Sequence, residues 1–154
     1  RNILLGIQPG ITKEKFYAEN EFDLNVVPIF VQFSLSKRTD LRLVSYANFR
    51  FGGANQFSDL GMNLAAPIFL KKKENLNQKS SGFYIAPVLG LGRNLLADHY
   101  TTTVAMEPGF LFPTKNRFTL SLGMQLGGSY FLYDNEPNVL RQHFGFKVNL
   151  GFWL

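Results

Sequence analysis

Strict alternation of apolar and other residues is the feature of this sequence that most restricts its fold. In residues 143–154, HFGFKVNLGFWL, every second residue is apolar, and the residues between are polar or small except Trp153. Seven earlier runs show the same pattern, and they span 3–11, 25–35, 41–51, 59–70, 83–91, 100–112 and 118–132. Because successive side chains of a β-strand point to opposite faces, the pattern predicts eight strands.

The length of the predicted strands favours a barrel that crosses a membrane. The runs cover about nine to fifteen residues each, whereas strands in soluble proteins usually have about five or six. A tilted strand needs about 9–11 residues to span a bilayer, and an even number of strands can close without leaving an unpaired edge in the hydrocarbon. We therefore expect residues 1–154 to form a single domain, an all-β, eight-stranded antiparallel up-and-down transmembrane β-barrel.

Composition excludes several other classes of protein. The chain has 154 residues with 16 Phe, 14 Gly and no Cys, which is typical of an all-β chain rather than of a helical bundle. No apolar run is long enough for a transmembrane helix. The absence of Cys excludes thiol catalysis and metal sites built from Cys. Because the sequence begins with Arg, we expect that a signal peptide has been removed or that the sequence is truncated.

A soluble eight-stranded barrel that carries an apolar ligand is the alternative architecture. It requires an apolar interior. Here one face of the runs is rich in Phe and Leu, and the other holds Gly, Ser, Thr, Asn and Gln together with Arg42, Arg50, Glu107 and Lys147. A face of this kind is unsuited to an apolar cavity, so we expect the apolar face to contact lipid and the polar face to line the interior.

The basic residues indicate how the barrel is oriented. The net charge is +5, and eight of the 16 Lys and Arg residues lie in or beside the connections 36–40, 71–81 and 113–116. With eight strands, these connections share one end of the barrel with both termini, which outer-membrane barrels place in the periplasm. Basic residues at such a rim contact lipid phosphates. We therefore expect outer-membrane lipid and lipopolysaccharide as partners, and no nucleic acid.

Four charged residues at inward positions form the candidate site. An unpaired buried charge is costly, so we predict a lumen polar network of Arg42, Arg50, Glu107 and Lys147. In this network Glu107 pairs with Lys147, and Arg42 or Arg50 is the alternative additional partner. Eight strands leave an interior that side chains can fill. Solute transport is therefore not expected, and a narrow ion-conducting channel stays open as an alternative.

Candidates for catalysis are few. Only His99 and His143 are present, and we expect His99 to be solvated in a loop. Ser129 and His143 are predicted on neighbouring strands and could form a nucleophile–base pair, but they point away from lipid. We predict no catalytic, cofactor or metal site, and we keep a lipid A-modifying enzyme, a deacylase or acyltransferase, as an alternative.

The segment VAMEPGFLFPTKNRFTLSLGMQLGGSY, residues 104–130, resembles the small outer-membrane β-barrel proteins common in Bacteroidetes-type bacteria, the PorT-like and OmpA-like barrel domains. The shared features are a Glu-Pro-Gly strand, a short basic turn and a strand punctuated by Gly. The closing strand resembles the C-terminal strand that the outer-membrane assembly machinery recognises, with Phe152, Trp153 and Leu154 as the insertion signal. That pattern usually ends on an aromatic residue, whereas this chain ends on Leu154.

The resemblance implies an outer-membrane location and no fixed enzymatic activity. Our interpretation is a non-enzymatic structural or accessory subunit of a larger outer-membrane complex, which contacts other outer-membrane or periplasmic proteins. Five prolines lie within or beside the runs, at positions 9, 28, 67, 87 and 108. Because proline has no N–H to donate to the ladder, we expect bulges near several of them.

Overall fold

A computed structural model describes residues 2–12 and 17–154, and in these ranges eleven strands form one antiparallel sheet. The strands are β1 (Ile3–Ile7), β2 (Ile11–Thr12), β3 (Phe22–Asn25), β4 (Ile29–Ser34), β5 (Asp40–Phe51), β6 (Gln56–Ala65), β7 (Ile68–Phe69), β8 (Gly82–Asn94), β9 (His99–Leu111), β10 (Phe118–Tyr133) and β11 (Val139–Trp153). Across these same ranges, no helix has the length and apolar character needed to cross a membrane.

Eight of these strands close into a ring, in the order β1, β4, β5, β6, β8, β9, β10 and β11. Each pairs antiparallel with its neighbours, and β11 closes the ring on β1 by aligning Leu150 with Ile7 and Trp153 with Leu4. The short strands β2, β3 and β7 continue β1, β4 and β6 respectively, and a gap of two or three residues separates each short strand from the longer one. The predicted all-β, eight-stranded antiparallel barrel is confirmed.

Proline accounts for the three breaks in the strand paths. The gaps that separate β1 from β2, β3 from β4 and β6 from β7 contain Pro9, Pro28 and Pro67 respectively. A proline lacks the N–H of a ladder bond but keeps its carbonyl, and the Gln8 N–H donates to the Pro28 oxygen at 2.6 Å. The other two prolines lie inside the unbroken β8 and β9.

Side chains alternate between the two faces of the wall, and their exposure alternates in the same way along each strand. In β8, for example, Phe83 is 62% exposed and the adjacent Tyr84 is 1% exposed. The outward positions are mainly Leu, Ile, Val, Met and Phe. The largest fully buried side chains include charged and amide groups as well as aromatic rings: Trp153, Arg42, Tyr84, Phe30, Phe69, Gln32, Glu107, Asp23 and Asp40. The barrel is therefore apolar outside and largely polar inside, the reverse of what a soluble carrier of apolar ligands needs.

The first described residue, Asn2, and the last, Leu154, lie at one end of the barrel, which we call the terminal end. It also holds the connections 35–39, 70–81 and 112–117. Backbone hydrogen bonds tie these segments together. The Lys73 N–H donates to the Lys37 carbonyl and the Trp153 N–H, in the last strand, donates to the Arg117 carbonyl, both at 2.8 Å. The opposite end, the far end, holds the short connections 52–55, 95–98 and 134–138.

Glycine permits the close approach of the first and last strands. Gly6 of β1 is aligned with Gly151 of β11 across the closing seam. A Cβ atom on Gly6 would overlap the Leu150 carbonyl oxygen, and it would lie 2.6 Å from the Gly151 Cα and 2.7 Å from the Phe30 ring. Two of these neighbours are backbone atoms, which cannot rotate away.

We expect Gly6→Ala to lower the free energy of unfolding by about 1–3 kcal/mol, the usual cost of overpacking. Gly10 is the matched control, because the nearest atom to a Cβ there is the Asn25 Cβ at 3.9 Å. Denaturant titration of the refolded barrel in detergent would measure both variants. Equal stability of the two variants would contradict this account of the seam.

Candidate functional site: a charged network across the barrel interior

The centre of the interior is an ion pair between Arg42 of β5 and Glu107 of β9. The Arg42 Nη1 lies 2.8 Å from the Glu107 Oε1, and both side chains are 1% exposed. The Tyr84 hydroxyl donates to the same oxygen at 2.8 Å, and the Gln125 Nε2 donates to Oε2 at 2.7 Å. Four strands of the ring thus meet at one carboxylate, as a buried charge requires.

The network continues from Arg42 towards the terminal end. The Arg42 Nε donates to the Gln32 Oε1 at 2.9 Å, and the Gln32 Nε2 donates to the Asp40 Oδ2 at 2.8 Å. Arg42 bonds to both Glu107 and Gln32, and Gln32 bonds to both Arg42 and Asp40. The hydrogen bonds therefore form a continuous chain rather than separate pairs. Arg42 Nη2 is the buried side-chain nitrogen that has no partner among the described residues.

Lys73 closes this chain at the terminal end. It belongs to the connection 70–81, which turns inward at this point so that the ammonium enters the barrel. The Lys73 Nζ donates to the Ser34 Oγ at 2.6 Å, to the Asp40 Oδ1 at 2.7 Å and to the Ser80 Oγ at 2.9 Å. All three ammonium protons therefore have acceptors, and the connection covers the opening of the barrel.

In the other direction the network reaches β11. The Gln125 Oε1 lies 3.1 Å from the His143 Nε2. Lys147 is on the same inward face of β11, aligned with Gly123 of β10. Within the described ranges, no ion pair or hydrogen bond involves Lys147. Glu107 therefore pairs with Arg42, which was predicted as an additional partner, and the predicted pair with Lys147 is wrong.

Arg50 lies in a separate cluster nearer the far end. Its Nε and Nη2 donate to the two oxygens of Asp23 at 2.9 and 3.0 Å. Its guanidinium carbon lies 3.8 Å from the centre of the Tyr17 ring, and the Tyr17 hydroxyl donates to Asp23 at 2.7 Å. Burial, followed by the hydrogen bond to Asp23, raises the pKa of Tyr17 above its ordinary value. The structure thus joins Arg42 to Glu107 and places Arg50 apart from them.

The residues considered for catalysis are engaged elsewhere. The Ser129 hydroxyl is 2.7 Å from the Thr103 hydroxyl, and His143 bonds to Gln125, so Ser129 and His143 do not form the hydrogen-bonded pair that a nucleophile and base require. His99, expected in solvent, is buried and stacks on the Phe131 ring with centroids 4.7 Å apart. The inward residues of β9 are the odd-numbered ones, and His99 is among them. Alternation could therefore have predicted that His99 faces the interior. In the described part of the chain, no group of three or more His, Asp or Glu is placed to hold a metal.

The last three residues have different environments. Trp153 is buried and aligned with Leu4, whereas Phe152 faces outward with the Arg117 guanidinium 5.9 Å from its ring centre. Leu154 is exposed and its N–H donates to the Ile3 carbonyl at 2.8 Å. The insertion signal stays a prediction from the resemblance.

Comparison with known proteins assigns no family, because no family model, curated protein or solved structure matches this chain. The function is therefore inferred from the barrel itself, whose wall is apolar outside and whose interior is filled and charged.

Proposed function

We propose that this chain is a non-enzymatic outer-membrane β-barrel of the PorT-like or OmpA-like kind, which serves as a structural or accessory subunit of a larger outer-membrane complex. The observation that carries the proposal is the sidedness of the wall. Val104 and Phe146 are 62% and 64% exposed on the outside, while Arg42 and Glu107 are buried within. An apolar surface of this extent is unfavourable in water and is stabilised by acyl chains.

The proposed orientation places the terminal end in the periplasm. The basic residues Lys37, Arg38, Lys71 and Lys72 are exposed at that end, where their side chains would reach the phosphates of the lipid head groups. Phe83 of β8, Phe110 of β9 and Phe112, the residue that follows β9, form a contiguous cluster at the same end, with neighbouring ring centroids 4.7 and 4.9 Å apart. Aromatic residues at this depth are typical of membrane interfaces.

The filled interior favours a structural role over conduction. The bonds from Lys73 to His143 cross the lumen, and the rings of Phe30, Phe69 and Tyr84 occupy it as well. In planar bilayers we expect the inserted barrel to show no steady conductance, because these side chains occupy the interior of an eight-stranded barrel, which is narrow. A porin reconstituted in the same lipid is the control for the bilayer. A sustained open current from the purified barrel would instead favour the narrow-channel alternative.

The lipid A-modifying alternative is tested separately. The Ser129 and His143 geometry does not support acyl transfer, so incubation of the folded barrel with lipid A should leave the lipid mass spectrum unchanged. Loss or gain of an acyl chain would contradict the non-enzymatic proposal.

The accessory role is tested by purification from the native membrane. After gentle detergent extraction, we expect the tagged chain to migrate in native gels with a second outer-membrane or periplasmic protein in fixed proportion. Migration as a lone barrel at every detergent concentration would contradict the accessory role, although it would leave the membrane assignment intact.

A further inference from the structure

An apolar groove of about 460 Å³ lies on the outer wall where β8, β9 and β10 run side by side. Its lining includes the rings of Phe83, Phe110 and Phe146 together with Pro108. Pro108 is smaller than the outward residues around it, and its neighbour Gly109 has no side chain. These small residues leave space between the larger side chains, and a volume of this size is within the roughly 300–1,000 Å³ typical of ligand-binding clefts.

One mouth of the groove opens beside two lysines. Leu70 lines the groove, and its N–H donates to the Phe83 carbonyl at 3.0 Å. The next two residues, Lys71 and Lys72, are exposed, and within the described ranges neither forms an ion pair. Lys73 then turns into the barrel. The groove thus has an apolar length and a cationic end.

We propose that this groove holds an acyl chain of one phospholipid, whose phosphate is bound by Lys71 and Lys72. The inference rests on the proposed membrane location and assigns to it a lipid of the leaflet at the terminal end. Charge complementarity selects this occupant: the apolar length matches an acyl chain, and the single cationic mouth matches one anionic head group at the membrane surface.

The test is native mass spectrometry of the full chain, released from detergent that contains phosphatidylglycerol. The charge variant is Lys71→Glu/Lys72→Glu. Its matched control is Lys37→Glu/Arg38→Glu, which makes the same charge change at the same end of the barrel but in the connection 35–39, no residue of which lines the groove, so that it alters only general contact with the head groups. The groove variant is Ile85→Trp, which fills the groove beside Pro108. Its control is Leu89→Trp, on the same strand and face but outside the groove.

We expect Lys71→Glu/Lys72→Glu to lower the retained phosphatidylglycerol about thirtyfold, from the contribution of two basic side chains near an anionic group. Ile85→Trp should lower it several-fold, the two controls should retain the lipid, and uncharged diacylglycerol should not be retained by any form. Equal loss in variants and controls, or no retained lipid in the unaltered barrel, would overturn the site.

Failure of the proposed function would have a different signature. A barrel that does not insert into liposomes, and shows no heat-dependent shift in gel mobility, would refute the membrane assignment itself. A barrel that inserts normally but does not discriminate between the variants and their controls would refute only the lipid site.

Discussion

Replacing Glu107 by Ala is expected to lower the free energy of unfolding by about 3–5 kcal/mol, the usual result of breaking a buried ion pair from one side. The variant leaves the Arg42 guanidinium, which is 1% exposed, without an anion. It also removes the acceptor of the Tyr84 hydroxyl and of the Gln125 amide. Denaturant titration in detergent or in lipid vesicles, followed by gel mobility, measures the change.

A double variant separates the ion pair from the packing around it. Arg42→Met with Glu107→Leu removes both charges while keeping much of the volume, and such replacements are often neutral or stabilising. We therefore expect the double variant to be more stable than Glu107→Ala. If Glu107→Ala unfolds at the same denaturant concentration as the unaltered chain, the carboxylate does not organise the interior as described.

Replacing Leu126 by Arg is expected to cost about 2–4 kcal/mol in lipid vesicles, the measured range for a basic residue at the bilayer midplane of a barrel. Leu126 faces outward midway along β10, aligned with Met106 on β9 and Phe144 on β11. An arginine there would have to enter the hydrocarbon or distort the bilayer, because polar groups of the interior lie on the other face of the wall.

Leu140→Arg is the matched control for Leu126→Arg. Leu140 is also outward and apolar, and it is aligned with Tyr130 of β10, but it lies next to the start of β11 at the far end, where a basic residue costs about 0–1 kcal/mol. In water, an exposed Leu→Arg substitution usually changes stability by less than about 0.5 kcal/mol. Equal, small effects at both positions would therefore indicate that water, not lipid, surrounds the barrel.

The strands could be predicted from the sequence because alternation is a local property of the chain. The run 118–132 corresponds to β10 at Phe118–Tyr133, and the run 41–51 corresponds to β5 at Asp40–Phe51. Extending the second run by one residue would have placed Asp40 inside, on the same face as Arg42. The breaks at three prolines follow from the missing N–H.

The partners across the interior could not be predicted in this way, because they depend on the tilt and stagger of the closed barrel. Alternation places Glu107, Arg42 and Lys147 on the inward face but does not say which cation reaches the carboxylate. Lys73 gave even less signal, since it lies in a basic turn that the sequence indicates is solvated. Its burial depends on the connection folding back into the barrel, where Asp40 provides the charge that compensates for desolvation.

Spin labels placed one by one along β10, with the barrel in lipid vesicles, test the sidedness of the wall most directly. The chain has no Cys, so single Cys substitutions can be labelled without altering other residues. We predict that labels at Leu120, Leu122 and Met124 collide with oxygen dissolved in the bilayer, and that labels at Ser121 and Gln125 do not. Frequent collision of the three outward labels with a water-soluble nickel reagent, or the loss of the alternation, would contradict the membrane assignment.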